Sequence, residues 1–155
     1  MRAMKKTLVF LLLTIMMLSI ATVQAEAKSY KANKVTAQQI VTQLKTTGLI
    51  KKAWKPSSKE LMDPSTPNAY KSKYNYTDKE YSDVYCTVEV FDDNFDAVRR
   101  QSYIDILSFF YGTFGMEEDV PLQAYRYKNV LLRVGSKMPL KHVLKYYNTM
   151  KKVIK

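Results

Sequence analysis

The stretch Asp83–Asp93, DVYCTVEVFDD, decides the fold. Val84, Cys86, Val88 and Val90 alternate with Tyr85, Thr87, Glu89 and Phe91. A period of two is the pattern of a strand with one face in the core. Upstream, Tyr70, Ser72, Tyr74 and Tyr76 alternate with Lys71, Lys73 and Asn75, and the polar link TDKEYSD joins the two strands as a hairpin. Downstream, Asp93 caps a helix running to about Tyr111, where it meets Gly112. Phe95, Val98, Ser102, Ile106 and Phe109 lie along one side of it. The order then repeats. LQAYRY and VLLRV are short strands separated by Lys128-Asn129, a tight turn. Pro139 opens a last helix with an apolar stripe of Leu140, Val143, Leu144, Tyr147, Met150 and Ile154.

Ahead of the first hairpin, VTAQQIVTQLKTTGL carries a capping box, Thr36 with Gln39, and a staple, Val35 with Ile40. The spacing predicts a helix over 37–47, stopped by Gly48. Residues 55–69 hold three prolines and read as a loop, with Trp54 anchoring its entrance on the core. The expected fold is α+β: an N-terminal helix, then two strand-strand-helix units. The simplest arrangement is a four-stranded antiparallel sheet with the helices on one face.

The first residues have the layout of a secretory signal peptide. Arg2, Lys5 and Lys6 lead an apolar run from Thr7 to Ala21, followed by Val23-Gln24-Ala25. The run is about 15 residues, shorter than a spanning helix needs, and no cysteine follows it for lipidation. A second cut after Ala27 fits equally. The expected organisation is a signal peptide over 1–25, a flexible segment over 26–34 and a single domain over 35–155. No transmembrane span is expected in the mature chain. The product would be secreted, free or associated with the cell wall. Arg2, Lys5 and Lys6 are the only basic residues removed, so the mature chain keeps most of the 25 Lys and Arg and all 14 acidic residues. It remains basic, which favours encounter with polyanions. Outside a cell these are wall polymers or lipid headgroups. No nucleic-acid-binding motif appears.

Few residues offer chemistry. Cys86 sits on the apolar side of its strand, where free cysteine is ordinarily core. Its other readings are an intermolecular disulfide, or a nucleophile paired with His142, the one histidine. His142 lies off the apolar stripe next to Lys141 and is expected to face water. One Cys and one His do not make a structural zinc set. Asp92, Asp93, Asn94 and Asp96 lack the spacing and glycine of a calcium loop, and read as turn and cap. There is no phosphate loop and no G-x-S-x-G. No cofactor, metal or catalytic residue is assigned.

The tyrosines suggest a surface instead. Beyond the Cys86 side, the same sheet would present Tyr85, Glu89 and Phe91, joined by Tyr125, Tyr127, Arg133, Lys71 and Lys73. An aromatic and basic face of this kind suits a protein partner or a wall polymer.

Three segments carry a family likeness. Pro67-Asn68-x-Tyr70-x-Ser72-Lys73, then VEVFDDNFDAVRRQSYI, then YRYKNVLLRV before a proline-started helix with Tyr147, together resemble a group of small exported proteins and lipoproteins of Gram-positive bacteria. The resemblance covers nearly the whole mature domain. It implies an exported single-domain protein with no assigned activity, cofactor or site. The missing lipidation cysteine sets this chain apart from the lipoproteins. The expected function is a non-enzymatic exported module binding a protein or an anionic envelope component. Two alternatives stand beside it: a small extracellular enzyme using carboxylates or Cys86, and a secreted antagonist or toxin-like factor.

Overall fold

The computed structural model describes residues 34–57, 70–82, 85–114, 123–135 and 137–154. The expected signal peptide and most of the proline-rich loop lie outside these residues, as does the acidic run Glu117-Glu118-Asp119, a further candidate to hold a hard cation by its sequence. Helix α1 spans Ala37–Thr46 and begins as its sequence dictates. The Thr36 hydroxyl accepts from Gln39 N at 3.3 Å, and Gln39 Oε1 accepts from Thr36 N at 2.8 Å. Gly48 follows the helix with φ +72°, a conformation that suits glycine.

Five strands form one antiparallel sheet: β1 (Ile50–Trp54), β2 (Tyr70–Asp78), β3 (Tyr85–Phe91), β4 (Gln123–Tyr127) and β5 (Val130–Val134). Their spatial order is β1-β2-β3-β5-β4. The expected sheet had four strands. The fifth, β1, escaped because Lys51-Lys52 breaks its alternation. Charged, short and at the sheet edge, β1 has the features that discourage pairing with another chain. The β2–β3 hairpin sets Tyr76 opposite Cys86 and Lys73 opposite Glu89. The Lys128-Asn129 turn between β4 and β5 holds Lys128 at φ 51°. Asn129 then exchanges two hydrogen bonds with the end of β3: its Nδ2 donates to Phe91 O, and its carbonyl accepts from Phe91 N.

Helices α2 (Asn94–Phe114) and α3 (Leu140–Val153) are the other helices among the described residues. The Asp93 side chain accepts from Asp96 N at 2.8 Å, so the expected cap of α2 is present. The helix runs through Gly112 rather than stopping there. The two sheet faces are covered by different helices. On one face Tyr76, Cys86, Val88, Val90, Leu132 and Val134 pack against Ile40, Val41 and Leu44 of α1 and Val143, Tyr146 and Met150 of α3. On the other, Phe91 and Leu131 pack under Ala97 of α2, with Tyr70 and Ala124 at the margin. The expectation of helices on one face is therefore corrected: α2 lies on the side opposite α1 and α3.

The inward sides of α2 and α3 also differ from the expected stripes. In α2 Val98 of the expected stripe is buried, but its companions inside are Ala97, Arg100 and Ile104, while Phe109 is largely exposed. In α3 the buried residues are His142, Val143, Tyr146, Thr149 and Met150, while Leu140 and Leu144 face out. In both helices a polar residue on the inward side has a buried carboxylate to meet, and that partner fixes the helix rotation.

Candidate functional site

Tracing the candidate residues into the sheet splits them into separate groups. Alternation along β2, β3 and β5 puts Lys73, Glu89 and Arg133 on one face, beneath α2. There Arg100 of α2 joins them. Its Nε and Nη2 grip the two Glu89 oxygens at 3.2 and 3.3 Å. Arg133 Nη1 donates to Glu89 Oε1 at 3.1 Å, and Lys73 Nζ lies 3.7 Å from the same oxygen. Burial alone would push the Glu89 carboxyl up. Arg133 and Arg100, then Lys73, outweigh it and hold the group below the usual carboxylate range. Glu89 is fully buried, and both arginine side chains are less than one-tenth exposed. The cluster is an internal strut between α2, β3 and β5, not an open binding face.

The other candidates lie apart from it. Phe91 is fully buried below α2. Tyr85 is half-buried, its ring 6.3 Å from that of Trp54. Lys71 falls at a register shift between Tyr70 and Ser72 and pairs with exposed Asp92 at 3.6 Å. Tyr125 and Tyr127 pack on the opposite face, at the margin of the α1–α3 core. Tyr127 meets Tyr147 edge-on, and Lys151 lies over both rings. The expected single aromatic and basic sheet face is thus divided between two sides, and α2 covers part of one.

A second polar cluster joins the end of β2 to α3. Asp78 is buried and accepts from four donors: Glu80 N, Tyr81 N, the Tyr146 hydroxyl and His142 Nε2. Burial would raise the Asp78 carboxyl, but these bonds lower it, the Tyr146 hydroxyl contributing most. An ionised carboxylate only accepts, so His142 Nε2 carries its proton. The exposed Glu80 lies 3.7 Å from Nδ1 on the far side of the ring. His142 is therefore buried, where the sequence placed it in water. Cys86 is also fully buried, and burial pushes its thiol up to about 12. It is protonated at neutral pH and poorly suited to attack. Among the described residues no three His, Cys, Asp or Glu side chains group closely enough to hold a metal ion.

With both clusters inside, the densest run of exposed charge among the described residues lies on the helix layer. The described segments around α1 and α3, residues 34–49 and 137–154, contain Lys34, Lys45, Lys137, Lys141, Lys145, Lys151 and Lys152 and no acidic residue. All seven lysines are exposed. The opposite side carries acids on and before α2: Asp92, Asp93 and Asp105 are exposed and Asp96 half-buried. Exposed Lys71 and Arg99 pair with Asp92 and Asp96 on the α2 side, and exposed Glu80 lies beside His142 of α3, so the charge is not strictly divided. The lysines of the two segments nevertheless leave the α1–α3 side net positive and draw an anionic partner there. Sequence reading missed this because lysines far apart in the chain meet only once α1 and α3 share a face. Arg100 and Asp78 were missed for a related reason. A Glu within a buried strand demands a cation, but its place on α2 depends on which face α2 covers.

No family model, no curated protein and no solved structure matches this chain.

Proposed function

We propose that this chain is a non-enzymatic, exported binding module for an anionic component of the cell envelope, held against the α1–α3 layer. The observation that carries the reading is the excess of positive charge: seven exposed lysines and no carboxylate in residues 34–49 and 137–154, against acids on the α2 side that are partly neutralised by Lys71 and Arg99. The signal-like first residues and the likeness to exported Gram-positive proteins support export. A thiol enzyme has less support, because the Cys86 thiol is buried and protonated.

The test is retention of the purified protein on isolated cell walls and membranes across a salt series. Retention at low ionic strength should fall steeply as salt rises, because exposed charges are screened within roughly 10 Å at 0.1 M. Replacing Lys141, Lys145, Lys151 and Lys152 together by Gln should abolish it. No retention even at low salt refutes the reading.

A further inference from the structure

The outer face of α3 carries more than charge. Leu140 and Leu144 are one helical turn apart and 60% and 45% exposed. At about 100° per residue they fall within roughly 40° of each other, with Lys151 between them. Lys141, Lys145 and Lys152 form a parallel row about 100° further round. The buried side of α3, from His142 to Met150, is fully used against the sheet and Asp78. The leucines are therefore not a misplaced part of the core. They are a second apolar row facing solvent, rimmed by cations. Among the described residues the other large exposed apolar side chain, Phe109, stands on α2, one turn from exposed Asp105. Of the described residues, only the α3 row combines exposed leucine with positive charge.

A soluble polyanion is recognised by charge alone and gives the leucines nothing to enter. An anionic bilayer accepts both. Lysines meet the headgroup phosphates, and leucines enter the boundary between headgroups and acyl chains, as on interfacial amphipathic helices. We propose that α3 docks in the plane of an anionic lipid bilayer, with Leu140 and Leu144 inserted and Lys141, Lys145, Lys151 and Lys152 on the headgroup phosphates. This deepens the envelope-binding reading and rests on it, taking lipid rather than polymer as the ligand.

The experiment is sedimentation of the mature chain, residues 26–155, with vesicles of phosphatidylcholine, with and without phosphatidylglycerol, beside soluble polyglycerol phosphate as a polyanion without acyl chains. The wild type should bind only the phosphatidylglycerol vesicles strongly. L140S/L144S should weaken that binding about tenfold or more. K141Q/K145Q should weaken it roughly 25-fold, at about fivefold per lysine. All four side chains are exposed, so circular dichroism and urea midpoints should stay at wild-type values. Vesicle binding unchanged in L140S/L144S overturns insertion. Binding to polyglycerol phosphate but not to vesicles overturns the lipid assignment and leaves the envelope-binding function standing. Binding to neither overturns both.

Discussion

Replacing Glu89 by Gln keeps the side chain's size and removes its charge. In the folded protein Arg100, Arg133 and Lys73 would then face a neutral amide inside the structure. Glu89 makes three hydrogen bonds of 3.1–3.3 Å to the two arginines and a 3.7 Å ion pair to Lys73. Removing one member of a buried ion pair typically costs about 3–5 kcal/mol, because its partner charge is left uncompensated. A domain of about 120 residues unfolds with an entropy near 0.25 kcal/mol/K, so the melting temperature should fall by about 12–20 °C. Urea denaturation followed by circular dichroism measures the free energy directly. A double-mutant cycle with Arg133→Met should return a coupling of ~2 kcal/mol or more. The pH profile adds an independent readout. The Glu89 carboxyl is depressed in the folded state, so its stabilisation is complete above the unfolded value of about 4.3 and is lost as pH falls through the folded value. The wild type should therefore lose stability steeply in acid below about pH 4. E89Q should lose less, retaining only the slope from groups such as Asp78. An E89Q protein within about 1 kcal/mol of wild type at neutral pH, with the same acid profile, would refute the buried-strut account.

Two further outcomes follow from the second cluster. Tyr146→Phe removes the hydroxyl that reaches the Asp78 carboxylate and the Leu49 carbonyl, and should cost about 1.5–3 kcal/mol by urea denaturation; no change would mean the carboxylate is satisfied without it. Cys86 should stay unreactive to Ellman's reagent in native buffer and react at the rate of unfolding in urea, since its thiol is buried and raised to about 12; prompt stoichiometric labelling of the folded protein would contradict this.

Local patterns in the sequence located most elements. The Thr36–Gln39 box places the start of α1, Asp93 caps α2, and the alternation around Cys86 gives β3 its core face. The Lys128-Asn129 turn separates two strands as expected. Rotations were harder to read, because apolar periodicity ranks leucine above histidine and cannot weigh a distant carboxylate. In α3 Val143, Met150 and Ile154 of the expected stripe are buried, but its Leu140 and Leu144 give way to His142 and Tyr146. Asp78, more than sixty residues earlier, favours that exchange. The face covered by α2 was hidden in the same way. Phe91 looked outward by alternation, and only Arg100 reaching Glu89 shows what lies over it. The bulge at Lys71 shifted Tyr70 to the side of Glu89, against simple period-two counting. The candidate residues Lys73, Glu89 and Arg133 were thus correctly grouped by parity, but as a cluster that is closed to solvent.

The place of α3 in the chain has a consequence for folding. The β2–β3 hairpin and α1 are assembled from near neighbours. The bonds from Tyr146 to Leu49 and Asp78 span 97 and 68 residues. As a chain emerges from its N-terminal end, every strand exists before α3 does. The Tyr76–Cys86–Val88 surface must wait, wet and half-covered by α1, for its second helix. Non-local closures of this kind are slow and leave apolar surface open to aggregation while they are pending. A chaperone or translocation partner that keeps this chain from clumping would therefore be needed most in the interval before α3 arrives, and truncation ahead of Leu140 would make that interval permanent.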